Sequence, residues 1–223
     1  MINQIEVTTL TLCCNRPLLS TEARQLRGFF GQRYRHRSEF HHHGHSGLIY
    51  RHPLIQYKII GGVGRAMGIG IGSFLLQAVD PPDRIILNEE AVEVLEANQT
   101  TRTVNFGPAS GPISYRFLIP WLALNETNFR SYRQMRNNGE RHRLLNRVLV
   151  GNILSLCKSI GESVNERLVG KVEVDRTEPV EIKKDVTLIG VCGGLEVNFL
   201  LPHLWGIGKQ SARGFGTIQR IEE

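Results

Sequence analysis

Paired cysteines are missing from this sequence. Its four, Cys13, Cys14, Cys157 and Cys192, form no Cys-x-x-Cys. That pattern excludes a cysteine-built zinc module and a disulfide framework, and the thiols read as buried groups in a reducing compartment. Long apolar runs are missing too: no uncharged stretch approaches the ~20 residues that span a bilayer. The opening Met1-Ile-Asn-Gln-Ile-Glu6 has no basic stretch leading into an apolar segment. The expectation is a soluble, cytoplasmic protein with no membrane partner. Nor is any nucleotide-binding loop complete. Gly61-Gly-Val-Gly64 and Gly68-Ile-Gly-Ile-Gly72 have Met67 and Ser73 where Gly-x-Gly-x-x-Gly needs its last glycine, and no Gly-Lys-Ser/Thr occurs. These stretches read as turns and a glycine-rich strand.

Acidic residues are scarce in two places. From Arg24 to Arg65 there are eight Lys or Arg against Glu39 alone, and from Arg130 to Lys158 seven against Glu140 alone. The remainder is acidic on balance, although the net charge is +6. Two basic blocks on an otherwise acidic chain form a footprint for a polyanion, and binding through them would depend strongly on salt. A pair of solvated helix faces is the plainer reading of either block alone. With 41% apolar residues over 223 positions, the chain can bury a core in one large domain or two small ones.

Periodicity predicts a strand over roughly Ile5–Leu12, with a bulge at Thr8-Thr9, then an Ser20-capped helix over Thr21–Gln32. Strands follow at Leu54–Ile60 and 66–78, a helix from Asn88 to about Ala97, and a short strand at Thr101–Phe106. Phe106-Gly-Pro-Ala-Ser-Gly-Pro112 reads as a linker. Beyond it come a strand over Ile113–Leu124 and a basic helical region over Thr127–Ile160, striped by Leu145, Leu149, Ile153, Leu156 and Ile160. Strands at Val172–Val174, Val180–Ile182, Val186–Val191, Leu195–Leu201 and Thr217–Ile221 complete the order. The fold class predicted is α+β, as two tandem ferredoxin-like (RRM-like) domains spanning 1–108 and 113–223. The first carries a histidine cluster and the second a glycine-rich loop. Trp121 is expected in the core; burial and base stacking stay equally open for Trp205.

Two segments carry the chemistry. Gly206-Ile-Gly-Lys-Gln-Ser-Ala-Arg-Gly-Phe-Gly216 lines a loop with glycines and adds Lys209, Ser211 and Arg213. Exposed N–H groups and cations in such a loop suit a nucleic-acid backbone, where a bare Gly-x-Gly would only mark a turn. Phe40-His-His-His-Gly-His-Ser-Gly47 holds half of the eight histidines. Three readings compete: a polar loop, a metal site, or acid–base catalysis on RNA. The metal reading is the weaker functional one, because no His-Glu-x-x-His or cysteine pair accompanies the cluster. Cleavage by the strand's own 2′-hydroxyl needs only a base and an acid titrating near neutrality. In an extended segment His41 and His43 project to one side, roughly 6.5 Å apart. His43 and His45 share that spacing.

Together the histidine cluster, Tyr50-Arg-His-Pro-Leu-Ile-Gln-Tyr-Lys58, Phe117-Leu-Ile-Pro-Trp-Leu-Ala-Leu-Asn-Glu126, Leu149-Val-Gly-Asn-Ile-Leu154 and the terminal glycine run carry a family likeness. They resemble the CRISPR repeat-RNA (pre-crRNA) processing endoribonucleases of the Cas-six type, "b" subtype, in the RAMP superfamily. The resemblance implies metal-independent cleavage leaving a 2′,3′-cyclic phosphate and a 5′-hydroxyl, with no cofactor. It implies His41 and His43 as the acid–base pair, His43 the principal group, and Tyr50 orienting RNA or stabilising charge. Arg51 and Lys58 would lie beside the catalytic strand. Gly206, Gly208, Lys209, Ser211, Arg213, Gly214 and Gly216 would hold RNA backbone, with Arg133, Arg136, Arg141, Arg143 and Arg147 as weaker phosphate contacts. The added His42 and His45 leave the register of the pair open. The alternative is a non-catalytic RNA-binding subunit of a CRISPR effector complex. Other effector subunits and a second copy of the chain are further candidate partners.

Overall fold

Thr8, Leu10 and Leu12 alternate along one face of the first strand, β1 (Asn3–Cys14), and all three are fully buried. The computed structural model describes residues 2–41, 43–44, 47–48, 52–183 and 186–221, and of residues 41, 43, 44, 47 and 48 the backbone alone. No bulge interrupts β1 as expected at Thr8-Thr9: it pairs in unbroken register from Val7 opposite Ile69 to Leu12 opposite Gly64. The apparent phase slip arises because a buried position is filled by Thr8. Its hydroxyl is satisfied by Ser73 at 2.8 Å and Thr101 at 2.9 Å.

The chain divides into two units: Gln4–Val104 with Ala212–Gly214, and Asn105–Ser211 with Phe215–Glu223 and Met1–Asn3. In the first unit a 3-10 turn (Ser20–Glu22) leads into α1 (Ala23–Arg33), followed by α2 (Ser38–His41), β2 (His43–Gly44) and β3 (Gly47–Leu48). Next come β4 (Ile55–Ile60), β5 (Val63–Ile69), α3 (Ile71–Gln77), β6 (Arg84–Leu87) and the start of β7 (Glu90–Phe117). The expected Ser20 cap is replaced by the Glu22 carboxylate, which accepts from the Leu19 N–H at 2.7 Å and from Arg16 at 2.8 Å. Sheet order is β4-β5-β1-β7. That is the split βαβ arrangement, with β1 and β4 flanking the antiparallel β5. Leu26 and Phe30 of α1 pack with Leu10, Leu12, Tyr57 and Ile59 in its core.

Two elements of this unit differ from the sequence reading. The stretch 66–78 is half strand and half helix: β5 ends at Ile69, and Gly70, at φ 54°, turns the chain into α3. The helix expected after Asn88 is a strand. Asn88 and Glu89 both take positive φ, 50° and 68°, between Leu87 and Glu90, which pair. Two left-handed residues make the turn of a β-hairpin, not a helix cap.

In the second unit β7 continues to Phe117, followed by α4 (Glu126–Gln134), α5 (Asn138–Ile160), β8 (Gly170–Lys183), β9 (Val186–Leu200) and β10 (Ile218–Arg220). The expected linker at 106–112 lies inside β7. Phe106 is buried edge-on against Phe199 at 4.9 Å, and a register shift between Pro108 and Ile113 absorbs the Gly/Pro residues. The basic helical region is two helices, because the Asn137 side chain caps α5 by accepting from Gly139 N–H at 2.6 Å. Leu145, Leu149, Ile153 and Leu156 form the buried stripe of α5, while Ile160 is only half-buried. Sheet order is β8-β9-β7-β10, the same arrangement again. Both units are thus α+β and ferredoxin-like, with one change. Between β9 and β10, where the first unit has α3, the second has the glycine loop with only a 3-10 turn at Ser211–Arg213. Among the described residues no helix is long and apolar enough to cross a membrane.

Candidate functional site

Aromatic packing fixes the chain where it enters the histidine cluster. Phe40 is buried, its ring 4.7 Å from that of Tyr34, and its carbonyl accepts from the Tyr57 hydroxyl at 3.4 Å. Tyr57 in turn lies 5.5 Å from Phe30 of α1. His41 closes α2, and His43 opens β2 opposite Leu48. His41 thus belongs to a helix and His43 to a strand, where the expectation was one extended segment. His42, His45, Tyr50 and Arg51 lie outside the described residues.

Beyond the cluster, Lys58 of β4 joins a polar chain whose other members, Gln56 and His52, the sequence reading did not single out. Lys58 Nζ donates to Gln56 Oε1 at 3.0 Å, and Gln56 Nε2 lies 3.2 Å from His52 Nε2. All three side chains are buried. An ammonium is only a donor, so the Gln56 carbonyl oxygen faces Lys58 and its NH2 faces the ring. Burial, with a smaller push from the Arg65 guanidinium, brings the Lys58 pKa down to about 7. Lys58, expected beside the catalytic strand as an RNA-binding residue, is fully buried. The signal was present but ambiguous: Gln56 and Lys58 alternate with Ile55, Tyr57 and Ile59, which reads as a strand with one wet face.

The glycine loop covers this amine. Gly214, at φ 86°, belongs to the first unit, and a methyl group there would stand 2.8 Å from Lys58 Cβ and 3.1 Å from the Tyr57 carbonyl oxygen. Arg213 beside it is half-buried, and its Nε has no hydrogen-bond partner among the described residues. The rest of the loop belongs to the second unit, laid along 120–122: Gly216 N–H donates to Pro120 O and Lys209 N–H to Leu122 O. Gly208, at φ 84°, has its α-carbon so near Trp121 that a Cβ would fall 2.4 Å from the indole nitrogen. Gly206 is buried and bridges Thr217. Lys209 is exposed, whereas Ser211 is buried with its hydroxyl unpartnered among the described residues. Trp121, as expected, is fully buried and donates to Asn152 at 3.1 Å; Trp205 is fully buried as well.

On the second unit's helices Arg133, Arg143 and Arg147 are exposed, as is Arg136 between them, and Arg141 sits 5.2 Å over the Tyr132 ring. Among the described residues no group of three or more His, Cys, Asp or Glu is placed to hold a metal ion, a statement that leaves out the histidine cluster's side chains.

The family model for the Cas6b N-terminal domain matches residues 3–105, and that for the Cas6b C-terminal domain matches 107–221. An uncharacterized protein of Methanocaldococcus jannaschii is 37% identical over 138 residues, 61% of this chain and 92% of its own. A crystal structure of Cas6b is 30% identical, covering 98% of this chain and all of its own with a TM-score of 0.89. A crystal structure of a CRISPR RNA processing endoribonuclease Cas6b has the same identity and coverage, with a TM-score of 0.76. A Cas6 product complex at 16% identity and a TM-score of 0.60 shares the fold. With both of its halves matched in order and solved relatives alike over nearly the whole length, the chain belongs to the Cas6b family.

Proposed function

We propose that this protein is a metal-independent endoribonuclease that binds CRISPR repeat RNA and cuts pre-crRNA in the cytoplasm. The observation that carries the reading is the sealed Lys58–Gln56–His52 chain, which lies just after the histidine cluster and beneath Gly214. Burial brings the Lys58 pKa down to about 7, and strongly shifted groups concentrate at functional sites. Family membership supplies the substrate class: the similar solved endoribonuclease is named for CRISPR RNA processing.

The 2′-hydroxyl next to the cut is the nucleophile. One of His41 and His43 removes its proton as it attacks the phosphorus, and the other protonates the departing 5′-oxygen. The products carry a 2′,3′-cyclic phosphate and a 5′-hydroxyl. Tyr50 orients the strand, and Lys58 in its charged form stabilises the negative charge that builds on the phosphate. Arg51, Lys209, Arg213 and the loop backbone at Gly206, Gly208, Ser211, Gly214 and Gly216 hold the strand. Within this reading, domain 1–108 performs the chemistry and domain 113–223 contributes most of the grip.

Labelled repeat RNA incubated in EDTA with the wild-type protein, His41→Ala, His43→Ala and His45→Ala is the test. Cleavage by wild type, lowered by at least ~100-fold in His43→Ala, is the expected result. Tight binding with no cut would refute the enzyme and leave an RNA-binding subunit. A cut that appears only after metal is added would refute metal independence.

A further inference from the structure

Helix α4 has no core of its own. None of its nine residues is buried, and a helix that short is marginal unless tertiary packing holds it. What it packs is aromatic and cationic. Phe129 and Tyr132 stand three residues apart on one side of the helix, and both are half-buried. Arg133 lies over the Phe129 ring, 5.8 Å from its centre. Arg141, from the first turn of α5, lies over the Tyr132 ring at 5.2 Å. The α4–α5 corner thus brings together two rings and two guanidiniums.

These guanidiniums are not neutralised. On the same helix Arg130 meets Glu126, and elsewhere in the unit Arg116 meets Asp175 and Arg176 meets Glu178. Among the described residues no carboxylate pairs with Arg133 or Arg141, and Arg141 Nε, though buried, has no acceptor. A buried donor without an acceptor carries an uncompensated desolvation cost. Phosphate oxygens would supply acceptors, and aromatic rings and arginine planes are the surfaces on which unpaired bases stack. The sheet of this unit offers no such surface. An RRM stacks bases on aromatic side chains of its sheet. Here Lys171, Glu196 and Ser114 lie side by side in one row of the sheet and Glu173 and Arg116 in another, all polar and none buried.

We propose that the α4–α5 corner is a stacking platform for a single-stranded part of the repeat RNA, with bases on Phe129 and Tyr132 and phosphates on Arg133 and Arg141. This rests on the RNA-binding reading above and adds base stacking to what were phosphate contacts alone. Charge selects RNA over a protein as the occupant: from Glu126 to Arg147 there are six arginines against two glutamates. Because every base has a stacking face, the platform adds affinity with little choice of sequence.

The test uses the full-length protein and a labelled single-stranded repeat RNA carrying 2′-O-methyl groups, which keep every base and phosphate and block 2′-hydroxyl attack. Affinity is measured from low to high salt for wild type, Phe129→Ala, Tyr132→Ala, Tyr132→Phe and Arg141→Gln. Each alanine variant is expected to bind about tenfold more weakly with the salt slope of wild type, because a ring is lost and no charge. Tyr132→Phe should match wild type. Arg141→Gln should weaken binding and shrink the slope of log affinity against log salt by about 0.7. A ring that only held α4 in place would take the neighbouring arginines with it, so alanine variants with a flattened slope would overturn the platform. Phe129→Trp keeps a ring and adds a second readout: Trp121 and Trp205 are fully buried, so the emission change on adding RNA, beyond that of wild type, reports position 129. Emission unchanged at saturating RNA, or affinity unchanged in both alanine variants, would overturn the platform and leave the corner to a protein partner. Should wild type bind no repeat RNA at any salt, the underlying functional reading fails first.

Discussion

Lys58 makes stability rise with pH in a window where few other groups act. Its pKa is about 7 in the folded protein, against about 10.4 in an unfolded chain. Between those values the unfolded state holds more protons than the folded one, so raising the pH favours folding. Below pH 6 both states are protonated and the term is flat. From pH 7 to 8.5 the unfolded lysine stays charged while the folded one discharges, a gain of about 1–2 kcal/mol. The thiols act oppositely: burial raises Cys14 and brings Cys157 to about 11, so their terms lower stability as pH rises from about the unfolded thiol pKa of ~8.5. The assay is denaturant unfolding of wild type and Lys58→Met at pH 6, 7, 7.75 and 8.5, taking the difference so that shared titrations cancel. Methionine keeps the length and apolar stem of the side chain without the charge. The wild-type curve should climb toward the variant's as pH rises, with the variant the more stable at pH 7. Parallel curves would refute a discharging Lys58.

Two further substitutions probe the backbone. Gly208→Ala places a methyl 2.4 Å from the Trp121 indole nitrogen at a left-handed φ of 84°; thermal melting should show a loss of at least ~2 kcal/mol, and a loss under ~1 would mean the loop shifts freely. Glu89→Gly relieves a non-glycine residue at φ 68° in the β6–β7 turn and should stabilise the protein by about 1 kcal/mol in the same assay.

Much of the fold was readable because apolar spacing reports which face is buried. Leu145, Leu149, Ile153 and Leu156 marked α5, and Leu195, Val197 and Phe199 marked β9. The failures share a cause: local chemistry that imitates another element. Asn88 followed by Glu89 and Glu90 imitates a helix start, yet both turn residues are left-handed and β6 waits opposite to pair. Gly107, Pro108 and Pro112 imitate a linker, but Phe106 and Phe199 bury the strand on either side of a bulge. The candidate site was half legible. Histidines and loop glycines announce themselves by composition. Buried polar residues do not, because Gln56 and Lys58 look solvent-facing until both faces of β4 are seen to be covered.

The second ferredoxin-like unit departs from the first at one connection, and that departure accounts for the loop. A helix between β9 and β10 would satisfy its own backbone and present side chains. The irregular segment must find partners for its N–H groups in other ways, and it finds them at the carbonyls of Pro120, Leu122 and Gly216. Such close approach to Trp121 admits no side chain at 208, which explains that glycine without reference to any ligand. Gly214 is different in kind. It serves the first unit, where the missing Cβ lets the loop lie on Lys58 and brings Arg213 with it. A loop glycine can therefore be required by packing at one end of the run and by the site at the other. Substitution at 208 should cost stability with RNA affinity per folded molecule intact, whereas substitution at 214 should disturb the Lys58 pocket directly.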